Sequence, residues 1–174
     1  MDNIGRHRKN LIKQYAPRKE AAEIIASAKS LIEVALRSNH LLSRHRRKLI
    51  SEALWWITEA DGKHSTRFRT KEVYDLATSS GSDDIKIQHE HVRPRSEVAK
   101  ELLADAKRYV ADPDKLVKLI EQTVGCIVTQ EQHRSLKKGE KGWKRYQDIV
   151  VYDMKENQPV VFNYEALYLP DSRS

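Results

Sequence analysis

Ile87-Gln88-His89-Glu90-His91-Val92-Arg93-Pro94 is the stretch from which the rest of the chain is read. Apolar Ile85, Ile87 and Val92 surround a polar cluster, and Pro94 cannot donate to a sheet ladder, so the run reads as a short strand that stops there. It gains meaning from a second stretch, Cys126-Ile127-Val128-Thr129-Gln130-Glu131-Gln132-His133, which reads as a strand to Thr129 running into a helix from Gln130 to Lys138. A carboxylate, two imidazoles beside it and a third imidazole on a helix are suitable donors for a divalent cation. Oxygen ligands suit hard ions such as Mg²⁺, and imidazole suits borderline ones such as Zn²⁺. Strand residues alternate in direction, so the spacing alone pairs His89 with His91 and turns Glu90 away, unless the strand is bulged or ending.

Glu90-His91-Val92-Arg93-Pro94 resembles the acid-His-Ile/Val-x-Pro motif of HNH endonucleases, the ββα-metal fold, and Val128 to His133 is similar to that family's second strand and helix. The likeness covers residues 85–138. It implies a metal held by Glu90 and His133, with His91 as general base and His89 as a possible additional ligand. It departs from the family in three respects: no Asn is placed to orient the base, the insert between the strands is long and helical, and there are no CxxC pairs for a structural zinc.

A chain of 174 residues suits one domain, or one domain with a helical extension. A third of the residues are charged and the mean hydropathy is −0.71, yet 39% are hydrophobic, enough for a core. No apolar run approaches the ~18–20 residues of a membrane span, and no apolar segment of signal-peptide type follows Met1. The single cysteine, Cys126, excludes an internal disulfide and fits a reducing cytoplasm. The net charge is +7, and the first fifty residues carry twelve Lys and Arg against four Asp and Glu. A basic half beside a near-neutral half points to a polyanionic partner. DNA fits better than RNA on the family likeness. The candidate phosphate contacts are Arg44, Arg46, Arg47, Lys48, Arg67, Arg69, Arg95 and Lys137.

Along the chain, helices are expected over residues 6–15, 17–38 and 41–60, the second with apolar positions from Ala21 to Leu36 at 3–4 spacing. The stripe of the third is Leu42, Leu49, Ala53, Trp56 and Ala60, broadened by Ile50, Leu54 and Ile57, with at least one of Trp55 and Trp56 in the core. Residues 62–70 read as a polar loop, and Thr70 caps a helix from Lys71 to Ala77. Residues 79–84 are a turn cluster. Ser96 to Tyr109 reads as one helix, and Asp112-Pro113 opens another. Gly142 to Tyr146 is a basic, aromatic turn or short helix, and Val150 to Tyr152 pairs with Val160 to Phe162 in a hairpin.

The expectation is an α+β protein: a basic helical region at 1–61, a connecting loop and short helix at 62–84, an HNH-like region with helical insert and C-terminal hairpin at 85–170, and a tail at 171–174. Its expected function is metal-dependent DNA hydrolysis using Mg²⁺, Mn²⁺ or Zn²⁺, in the cytoplasm and away from membranes. The alternatives are a non-catalytic nucleic-acid- or protein-binding module on the same scaffold, and a protein that regulates a partner through charge complementarity. Cys126 as a nucleophile is disfavoured, because its strand is apolar and buried thiols are inert.

Overall fold

The computed structural model describes residues 11–79, 86–136 and 140–162. Among them are seven α-helices and a five-stranded mixed sheet, so the protein is α+β with a helical N-terminal region. The chain divides into two units that are interleaved in sequence. A sheet unit takes the chain to Pro17, Asp61–Val92 and Gly125 onward, and a helical unit takes Arg18–Ala60 and Arg93–Val124. Among the described residues no helix is long and apolar enough to cross a membrane.

The helical unit contains α1 (Ala21–Arg37), α2 (Ser43–Thr58), α4 (Arg95–Ala104), α5 (Ala106–Ala111) and α6 (Pro113–Glu121). α1 buries Ala28, Ile32, Ala35 and Leu36, one face of a 3.6-residue repeat. Its C-terminal carbonyls are closed by Arg46, which donates to Ala35 O at 2.7 Å and Leu36 O at 2.9 Å. A guanidinium there also suits the negative end of the helix dipole. α2 buries Ile50, Ala53, Leu54 and Thr58. Leu42 and Trp56 of the expected stripe are exposed, and neither Trp55 nor Trp56 enters the core. The rest of the expected face holds: Ile50, Ala53, Leu54 and Ala60 are buried, and Leu49 and Ile57 pack against the core.

The expected helix from Ser96 to Tyr109 breaks at Asp105, whose backbone (φ −124°, ψ 39°) leaves the helical region, and gives α4 and α5. Tyr109 donates to Glu101 at 2.8 Å, and Glu101 is also paired with Arg93. Burial, helped by that hydrogen bond, pushes the Tyr109 phenol up to about 12. α6 opens as expected, with Asp112 accepting from the Lys115 N–H at 3.3 Å and Pro113 in the first turn. Val98, Leu102, Leu116 and Ile120 complete a core with α1 and α2.

In the sheet unit the strands are β1 (Phe68–Thr70), β2 (Ile87–His91), β3 (Gly125–Thr129), β4 (Val151–Asp153) and β5 (Gln158–Pro159), in the order β2-β3-β1-β4-β5. Only the β1–β3 pair is parallel. α3 (Lys71–Thr78) follows β1 directly, capped by Thr70 as expected. A C-terminal hairpin forms, but its second strand is Gln158–Pro159 rather than Val160 to Phe162, because the turn is tighter than expected, with Asn157 in the left-handed region (φ 52°). On one face Ile127 packs with Leu11, Val73 and Ala77. Elsewhere in the unit Phe68 meets Trp143 edge-on and Trp143 meets Tyr146, each pair 5.2 Å between ring centres.

β1 is the main departure from the sequence reading, which made residues 62–70 a polar loop. Its central residue, Arg69, is 1% exposed. The guanidinium donates to the carbonyls of Leu11 and Thr66, the latter at 3.0 Å. Burial brings it down to about 10, so it remains charged at neutral pH. Arg69 therefore ties the N-terminal segment to the sheet and is not placed to reach a phosphate. Arg67 is likewise engaged, gripping the Asp153 carboxylate at 2.9 Å through Nε. Burial raises the Asp153 carboxyl, but Arg67 and the backbone N–H groups of Lys155 and Glu156 outweigh it and hold the group below its usual range.

Arg69→Ala should destabilise the protein by about 3 kcal/mol, because it leaves two carbonyls without their donor and opens a cavity. Urea denaturation reads this. A depressed carboxyl stabilises the fold fully above its unfolded value and loses that contribution as pH falls through the lower folded value. Asp153→Asn should therefore cost stability at neutral pH and flatten the loss of stability below about pH 4, where Asp protonates in the unfolded chain. An unchanged acid limb in a pH-dependent urea series would contradict this.

Candidate functional site

β2 and β3 pair antiparallel, with Glu90 opposite Cys126 and His91 opposite Gly125. β3 runs straight into α7 (Gln130–Ser135). The junction is a capping box: the Thr129 hydroxyl accepts from the Gln132 N–H, and the Gln132 side chain returns to the Thr129 N–H, each at 3.1 Å. The same Gln132 oxygen accepts from the Thr70 hydroxyl at 2.7 Å. The capping box fixes where α7 starts, and α7 packs on β2 and β3. The result is two antiparallel strands followed by a helix, with residues 93–124 looped out between the strands.

That arrangement brings His133 to Glu90, 43 residues away, with Nδ1 2.8 Å from Oε2. The other carboxylate oxygen, Oε1, is 2.8 Å from Arg145 Nη2. Arg145 lies on the 3-10 helix Gly142–Tyr146 and also donates from Nη1 to the His91 carbonyl at 3.0 Å. The Glu90 and Arg145 side chains are 12% and 14% exposed, whereas His133 is 41% exposed. A half-sealed carboxylate thus has a guanidinium on its inner side and an accessible imidazole on its outer side.

His89 and His91 lie on the opposite face of β2, their rings 5.2 Å apart. The alternation read from the sequence therefore holds, and Glu90 and His133 lie in direct contact. The His89 Nδ1 is 3.0 Å from the Lys63 carbonyl. Its ring lies across Gly125, where an added Cβ would come within 2.5 Å of Nε2, so a side chain there would displace the His89 ring. Cys126 is fully buried, and burial pushes its thiol up, which fits an inert role.

Among the described residues no group of three His, Cys, Asp or Glu is placed to hold a metal ion. Glu90 Oε2 and His133 Nδ1 nevertheless have the separation of neighbouring ligands. Two bonds of about 2.0–2.2 Å at right angles set their donor atoms roughly 3 Å apart. A carboxylate oxygen suits Mg²⁺ or Mn²⁺ and an imidazole nitrogen suits Zn²⁺, so the two donors single out no one cation, and waters and phosphate oxygens would fill the other positions.

Of the candidate phosphate contacts, Arg44, Arg47 and Lys48 are exposed on α2. Arg46, Arg67 and Arg69 serve the fold as described, Arg95 leans on Trp55 at 5.0 Å, and Lys137 lies outside the described residues. Arg145 was not singled out from the sequence. The available signal was an arginine between Trp143 and Tyr146, both of which are buried. A cation among buried aromatics needs an acidic partner.

Arg145→Ala should cost about 3 kcal/mol, since it leaves a sheltered carboxylate without its cation. A double-mutant cycle with Glu90→Ala should give a coupling of about 1–3 kcal/mol, and additive effects in urea denaturation would contradict the ion pair. No protein-family model, curated protein or solved structure matches the chain, so the ββα likeness rests on Glu90, His133 and the order of β2, β3 and α7 alone.

Proposed function

We propose that this protein is a metal-dependent nuclease of the ββα kind that hydrolyses phosphodiester bonds of DNA in the cytoplasm. The observation that carries the reading is the 2.8 Å approach of His133 to Glu90 across a β2–β3–α7 unit. Glu90 and His133 would hold a divalent cation, Mg²⁺, Mn²⁺ or Zn²⁺, which supplies a Lewis acid for a phosphate oxygen. Arg145 fixes the carboxylate through Oε1 and leaves Oε2 facing the imidazole. His91 is the base that the family likeness implies, but its ring sits with His89 on the other face of β2. Its share in proton transfer is therefore a question for a variant that leaves the cation ligands intact.

A second reading is favoured by one observation. Both Glu90 oxygens already have protein partners, which suits a structural clamp in a nucleic-acid- or protein-binding module on the same scaffold.

Plasmid nicking with Mg²⁺, Mn²⁺ or Zn²⁺, each with and without chelator, separates the two. The nuclease reading expects chelator-sensitive nicking that falls about a hundredfold or more in Glu90→Gln and His133→Ala, the scale of losing a group that acts at the reacting phosphate. His91→Ala should keep its Mn²⁺ affinity by calorimetry, and any fall in its nicking rate measures its part in proton transfer. Absence of nicking with all three metals would establish the binding module instead.

A further inference from the structure

α2 carries an internal contradiction. Arg44, Arg46, Arg47 and Lys48 fall in its first six residues, and its first turn has no acidic side chain. The N-terminal end of a helix is the positive end of its dipole and favours carboxylates, so these cations oppose the helix that bears them. Arg46 has a use in the fold, because it closes the end of α1. Arg44, Arg47 and Lys48 are exposed, and at i, i+3 and i+4 they lie on one face.

The same face continues to Ser51 and Trp55. Trp55 is 37% exposed, although Ile50, Ala53 and Leu54 beside it are fully buried. Arg95 sits 5.0 Å over the Trp55 ring and is pinned there by a 3.2 Å hydrogen bond from Nη1 to the Ser51 carbonyl. A fourth cation is therefore held in place at the aromatic end of the row, and the ring has little rotational freedom left to lose on binding. From Arg44 to Trp55 the face runs about 16 Å along the helix axis.

We infer that this face of α2 binds a single-stranded stretch of nucleic acid, with Arg44, Arg47 and Lys48 along the backbone phosphates and Trp55 stacked on a base. The cations alone would suit any polyanion, duplex included. The exposed indole in line with them favours a single strand, because only an unpaired base presents its ring face, and a basic groove interleaved with aromatic platforms is how strands are held. An acidic protein segment would satisfy the charge but leave the indole without a stacking partner. The inference rests on the nucleic-acid partner of the proposed function, and not on its cleavage chemistry.

The test is a fluorescence titration of the full chain, in chelator so that nothing is cut, with an oligodeoxythymidylate and with a DNA duplex of matched length. Of the three tryptophans, Trp143 is buried at 1% exposure, so quenching reports on Trp55 and Trp56. The single strand should quench and should bind at least about tenfold tighter than the duplex. Trp55→Ala should weaken single-strand binding about tenfold or more, the effect of losing one stacked base, whereas Trp55→Phe should keep most of the affinity. Replacing Arg44, Arg47 and Lys48 together with Ala should reduce the salt slope by up to about 2. Circular dichroism confirms that each variant is folded. Equal or tighter duplex binding without quenching, or a folded Trp55→Ala variant that binds like the parent, overturns the single-strand assignment and leaves the nuclease reading intact. If neither DNA binds, the nucleic-acid partner falls with it.

Discussion

A carboxylate taken largely out of water must have its charge answered, and Glu90 is that carboxylate here. It is the penultimate residue of β2, with one oxygen on Arg145 and the other on His133. Three segments distant in sequence are thereby held to one point: the strand at 87–91, the helix after β3 and the 3-10 turn at 142–146. Such a pair adds little net stability over an apolar substitute, but breaking it leaves a buried charge, which is strongly unfavourable. The arrangement therefore specifies where α7 and the turn must lie more than it strengthens the fold. It also keeps an imidazole at the surface in a fixed relation to a carboxylate, which is the geometry on which the proposed chemistry depends.

Legibility in the sequence followed burial and spacing. β3 was readable because Cys126, Ile127 and Val128 form a continuous apolar run, and all five of its residues are buried. α3 was readable from its cap, Thr70, and α6 from Asp112-Pro113 at its start, because such signals are local and the sequence carries them with it; α7 was read from the polar run that follows β3. β1 was not. Phe68-Arg69-Thr70 has the composition of a loop, and only the distant carbonyl of Leu11, the carbonyl of Thr66 and the flanking strands β3 and β4 make a buried arginine tolerable there. The buried face of α2 was mostly readable, since Ile50, Ala53, Leu54 and Ala60 are buried as expected, but not its edge, where Leu42 and Trp56 are exposed.

The site was half legible for the same reason. Strand alternation separated Glu90 from His89 and His91, whereas placing His133 beside the carboxylate came only from the family resemblance. Arg145 escaped notice because its importance is set by a contact 55 residues away. The candidate phosphate contacts split on a physical criterion that composition does not contain. Arg46, Arg67 and Arg69 answer carbonyls or carboxylates of the fold, and Arg44, Arg47 and Lys48 remain on the surface of α2. The interleaving of the two units also hides in one dimension, since residues 93–124 read as an insert but pack with α1 and α2.

The central claim is that Glu90 and His133 together hold a divalent cation. Paramagnetic Mn²⁺ added to the protein, with the histidine ring and glutamate side-chain resonances followed by NMR, tests it directly. The account predicts that substoichiometric Mn²⁺ broadens His133 and Glu90 first and that chelator restores both. Broadening centred on His89 and His91, or none at either pair, would contradict it.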